Sequence, residues 1–130
     1  MNDQPAQAAH APRRTIEKDQ PDPAGSLLLA RIAAGDREAF GAFYERHLAH
    51  GFNLARHLTR DRAGADEVVQ EAMLRVWKYA RTFRPEGSVE GWFLRIVARE
   101  GANWRQAGLR RARMDASREA SPPEELCGDP

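Results

Sequence analysis

The sequence predicts an all-α fold, a compact four-helix bundle over residues 26–114 with a disordered tail at each end. Three observations carry that expectation. Pro85 is the only proline between residues 24 and 121, so little else in the middle of the chain breaks a helix. Apolar residues recur there at spacings of three and four, the period of one helix face. No run alternates Val, Ile or Thr with polar residues as a half-buried strand would.

The elements follow in order. Residues 1–25 are rich in Ala, Gln, Pro and charge and hold little to bury, which makes them a disordered leader. Ser26 is the expected N-cap of a short apolar helix, Leu27 to Ala34, stopped by Gly35. Asp36 caps a second helix whose stripe of Phe40, Phe43, Tyr44, Leu48, Phe52, Leu54, Ala55 and Leu58 runs to about Thr59. Gly41 and Gly51 weaken it by about 1 kcal/mol each unless packing requires them.

Asp61 caps the third helix, whose apolar positions continue from Ala65 through Val68, Val69, Ala72, Met73, Val76, Trp77 and Ala80 to Phe83. Pro85 and Gly87 end it. Ser88 caps the fourth, which buries Val89, Trp92, Phe93, Ile96, Val97 and Trp104. Residues 115–130, with Pro122, Pro123 and Pro130, form an acidic Pro-rich tail or linker.

The net charge of +1 conceals a polarity along the chain. Asp66, Glu67, Gln70 and Glu71 open the third helix, whereas residues 95–113 carry six Arg against the single Glu100. The acidic set suits a basic protein surface, although carboxylates at a helix N-terminus also simply favour the dipole. The basic set suits phosphate: Arg95, Arg99, Asn103 and Gln106 fall three or four apart on one face, and Arg110, Arg111 and Arg113 extend it. A solvated basic helix end is the plainer alternative.

Other chemistries find no support. Cys127 is the only cysteine, so an internal disulfide or a Cys/His metal cluster is not expected. Nothing basic flanks it to activate the thiol. His10, His47, His50 and His57 lack ligand spacing, and no acid–base or nucleophile constellation marks an enzyme. No cofactor is expected. Without a signal-peptide run or a stretch of membrane-span length, the chain is expected to be cytoplasmic and not inserted in a membrane. Trp77, Trp92 and Trp104 fall at core spacing rather than on a stacking platform.

The segments LLARIAAGDREAFGAFYERH, DEVVQEAMLRVWKYARTF and GSVEGWFLRIVARE, in that order and spacing from Leu27 to Arg113, resemble region 2 of bacterial sigma factors of the extracytoplasmic-function group. The resemblance implies a module for transcription initiation. Its third helix would dock on the β′ clamp coiled coil of core RNA polymerase through Asp66, Glu67, Gln70 and Glu71, with Arg75 and Lys78 further along.

The loop from Arg84 to Ser88 and the fourth helix would handle the non-template strand of the minus-ten promoter element, through Arg84, Ser88, Arg95, Arg99, Asn103, Gln106, Arg110 and Arg111. An anti-sigma factor is a further partner that the resemblance allows.

Two departures matter. Ala98-Arg99 stands where the family commonly has Arg-Asn, so an amide near the melted bases is replaced. After Arg113 too little chain remains for the second, helix-turn-helix domain. Both leave open an alternative: an interaction protein that occupies the polymerase, or titrates an anti-sigma factor, without opening DNA.

Overall fold

In a computed structural model, which describes residues 20–120, four α-helices pack around one core: α1 (Pro23–Ala33), α2 (Arg37–Thr59), α3 (Arg62–Tyr79) and α4 (Val89–Ala120). A single 3-10 turn, Ala80–Thr82, follows α3. Helices α2, α3 and α4 each pack on the other two, and α1 lies mainly across α2.

Three of the four expected caps form as local chemistry dictates. Asp36, Asp61 and Ser88 accept from the amides of Ala39, Gly64 and Gly91 at 3.2, 3.2 and 3.0 Å, each satisfying a donor that the helix itself cannot. The first helix differs. It starts at Pro23, and Asp22 rather than Ser26 is its cap, accepting from Gly25 N at 3.1 Å. Proline at the first helical position gives up no hydrogen bond and brings a suitable φ, and the Asp22 carboxylate also pairs with Arg46 at 2.8 Å.

Both ends of the basic half differ too. The third helix tightens into the 3-10 turn after Tyr79, which leaves Phe83 outside any helix with its ring edge-on to Trp92 at 5.6 Å. Helix α4 runs to Ala120, past the expected boundary at Asp115. The residues there are mostly good helix formers, and no proline intervenes before Pro122.

The core centres on Phe43, Phe93, Val68, Val76, Val89 and Val97, all fully enclosed. Phe43 of α2 and Phe93 of α4 meet edge to face at 5.5 Å, a favoured aromatic geometry. Gly51 is required by packing: a Cβ there would stand 2.9 Å from the Phe93 ring. Gly41 has open space around it, so it carries the propensity cost without that return. The α2–α3 corner turns on Arg60 in the left-handed region (φ 56°), with the Thr59 hydroxyl donating to the carbonyl oxygens of Ala55 and Asp61 at 2.9 and 3.0 Å.

Candidate functional site

Helix α3 presents its acidic residues over more than one direction. Asp66, Glu67, Gln70, Glu71 and Lys78 are all exposed. At about 100° per residue, Asp66 and Gln70 lie some 40° apart on the side turned away from α4, while Glu67 and Glu71 are turned toward it. They border a cleft of about 200 Å³ there, with Asn103 and Trp104 on the other wall. The Trp104 indole Nε1 donates to Glu67 Oε1 at 3.1 Å, so one carboxylate of the acidic ridge is engaged within the molecule. Close approach of the two helices depends on Gly64, where a Cβ would collide with the Trp104 ring.

Helix α4 carries Arg95, Arg99, Asn103 and Gln106 exposed along a single face, and Arg110 continues it. Arg111, one residue on, points about 100° away. Beyond Gly108 every described residue is exposed, so this end of α4 stands clear of the bundle. In the α3–α4 connection Arg84 is exposed, whereas Ser88 is half-buried with its hydroxyl occupied by the helix cap.

The two ridges do not bury one another, but they meet along a groove between α3 and α4. On the arginine side of it a cavity of about 420 Å³ is lined by Arg75, Tyr79, Trp92, Arg95, Arg99 and Glu100. Arg75 follows Gln70 by five residues, about 140° round the helix, which aims it at α4. Its Nε lies 2.7 Å from Glu100 Oε2.

Glu100 is only 6% exposed, and this oxygen makes charge contact without an aligned hydrogen bond. Sequence reasoning did not find this pair. A signal exists: 93, 97, 100 and 104 continue one apolar line, which puts Glu100 on the buried face of α4.

The three tryptophans sit at the margins of the core. Trp92 and Trp104 are half-buried against it, and Trp77 is 38% exposed with its ring edge-on to Phe40 at 5.4 Å. Of the histidines, His50 and His57 are exposed and His47 is buried; His10 and Cys127 lie outside the described residues. Among the described residues His47 has no hydrogen-bond partner on either nitrogen, and it packs its ring on Phe43 at 4.4 Å. Burial pushes its pKa down to about 4, Arg46 and His50 act in the same direction, and Asp22 opposes them. The Asp36 carboxyl is held below its usual range by the Ala39 amide and then by Arg31.

Among the described residues, no His, Cys, Asp or Glu cluster is arranged to hold a metal ion, and no helix is long and apolar enough to cross a membrane.

Comparison with known proteins converges on one family. The family described as Sigma-70 region 2 matches residues 43–112, the span from the second turn of α2 through the arginine ridge. The chain is 33% identical over 97 residues to the ECF RNA polymerase sigma factor SigK of Mycolicibacterium vanbaalenii, covering 74% of this chain and 46% of that protein. It is 41% identical over 70 residues to the ECF RNA polymerase sigma factor SigM of Mycobacterium tuberculosis, covering 54% and 36%. A SigK of Mycobacterium ulcerans is 28% identical over 114 residues, covering 80% and 61%. The chain thus spans about half the length of the curated relatives it matches. No solved structure matches it.

Proposed function

Because the chain belongs to the Sigma-70 region 2 family, we propose that it acts in transcription initiation by joining core RNA polymerase to promoter DNA and holding the opened minus-ten strand. The relatives are named as RNA polymerase sigma factors, and the reading carries that role to this chain.

The observation that supports it best is the pair of solvent-open ridges of opposite charge on α3 and α4 of one rigid bundle. Asp66, Gln70 and Glu71 are the proposed anchors on the β′ clamp, where carboxylates and an amide pair with Arg or Lys across an interface. Glu67 adds to them once its bond to Trp104 yields.

On the other face, Arg95, Arg99 and Arg110 supply phosphate contacts, while Asn103 and Gln106 supply amides that reach base edges. Arg84 and the backbone around Ser88 flank the captured bases. The work is done by binding energy. Capture of unstacked bases offsets the cost of unpairing, on the order of a few kcal/mol, and a basic track fixes the displaced strand.

The direct test is retention of a minus-ten fork template by core polymerase, with and without the chain. Retention that depends on the chain supports the proposal. Polymerase binding without fork retention would instead identify a protein that occupies the clamp and leaves DNA closed, the outcome that Ala98-Arg99 favours.

A further inference from the structure

A near-buried carboxylate is out of place in the wall of a groove meant for a polyanion. Glu100 is the lone acidic residue among the six arginines of residues 95–113, it is 94% enclosed, and it borders the 420 Å³ cavity that Arg95 and Arg99 also line. Among the described residues its one charge partner is Arg75, which reaches across from α3. The contact uses Arg75 Nε. The two terminal nitrogens of the guanidinium remain, and they form the edge that pairs with two oxygens of a phosphate at once.

We propose that Arg75 is a nucleic-acid contact rather than a polymerase contact, and that Glu100 is the positioning residue that turns its guanidinium edge into the α3–α4 groove beside Arg95 and Arg99. The ligand is a backbone phosphate of unpaired DNA, with its base next to the half-buried Trp92. The assignment rests on the proposed function.

Three arguments carry it. Contact is the first: Arg75 is turned about 140° from Gln70 and reaches across the groove to Glu100 of α4. Charge is the second. Three guanidinium groups lining one cleft repel each other in the free protein, and Glu100 offsets that repulsion through its contact with Arg75. Order is the third, because a side chain as rotamer-rich as Arg loses less on binding when it is already held.

The decisive variant is the charge-balanced double change Arg75→Gln/Glu100→Gln. It leaves the net charge of the protein unaltered and strands no buried charge, so long-range attraction and folding are preserved. Fork affinity is measured as a function of salt with core polymerase present, and polymerase affinity is measured separately without DNA.

The expected result is a loss of about tenfold in fork affinity, with the salt slope shallower by about 0.7, the value for one single-strand phosphate, and polymerase affinity unchanged within twofold. Glu100→Gln alone should weaken fork binding about threefold, and this effect should vanish when Arg75→Gln is already present.

Unchanged fork affinity and slope would make the pair a structural tie only and overturn the assignment. So would a fall in polymerase affinity without DNA, which returns Arg75 to the clamp face. Should the unmodified chain retain no fork at all, the proposed function itself fails, and this inference with it.

Discussion

Trp104 and Glu67 tie the two functional helices together. The indole N–H of α4 donates to the carboxylate of α3 at 3.1 Å, directly over the glycine that lets the ring approach. The bond lies in the acidic ridge itself, so the ridge helps to hold the bundle as well as to present charge.

Gly64→Ala tests that closeness. Alanine gains about 1 kcal/mol of helix propensity, but overpacking against Trp104 costs about 1–3 kcal/mol. The expected balance is a lower melting temperature. A rise of several degrees would mean that the ring moves aside freely.

The acidic ridge is tested by placing positive charge at two of its proposed anchors. Gln70→Lys/Glu71→Lys should weaken association with core polymerase at least tenfold, chiefly by like-charge juxtaposition, while the circular dichroism of the free protein stays the same. Undiminished pull-down of core polymerase would remove α3 from that interface.

Arg95→Ala and Arg99→Ala should each reduce fork retention and make its salt slope shallower by about 0.7. Neither side chain is buried, so thermal stability should stay within about 0.5 kcal/mol. A variant that loses retention at an unaltered slope would point to base contact instead of phosphate contact.

His47 makes stability depend on pH. Its folded pKa, about 4, lies below the ordinary 6.5, so between these values the unfolded chain binds more protons than the folded one. Stability is therefore full above pH 6.5 and falls as the pH drops toward 4. The loss is about 2–3 kcal/mol at one pKa unit per 1.4 kcal/mol. Denaturant unfolding of the protein and of His47→Leu at pH 7 and pH 4.5 checks this. The variant should lose less between the two, and equal losses would assign the acid sensitivity elsewhere.

What the sequence made legible follows from range. Asp36, Asp61 and Ser88 could be read as caps because each bond spans three residues. The stripes of α2, α3 and α4 were readable because a helix repeats its face every three or four residues. The Arg75–Glu100 pair joins different helices and was not read, since a carboxylate between arginines looks solvated until the partner helix is in place.

The same limit applies to Glu67, whose bond to Trp104 crosses 37 residues. Asp22 falls inside the stretch read as a leader with little to bury, so its capping role was not legible, whereas Pro23 in fact opens the helix. Phe83 fits the helical spacing of α3 but lies past its 3-10 turn, where a turn not yet placed shifts the register.

Helix α4 is 32 residues long, about 48 Å at 1.5 Å per residue, and only residues 89–108 lie against the bundle. A free helix of 12–15 residues is marginal in water, so the outer turns past Gly108 owe their coil to continuity with anchored ones. Heating should unwind that projecting arm before the bundle gives way. A polyanion laid along Arg110 and Arg113 should rewind it, which makes ellipticity a direct gauge of occupancy.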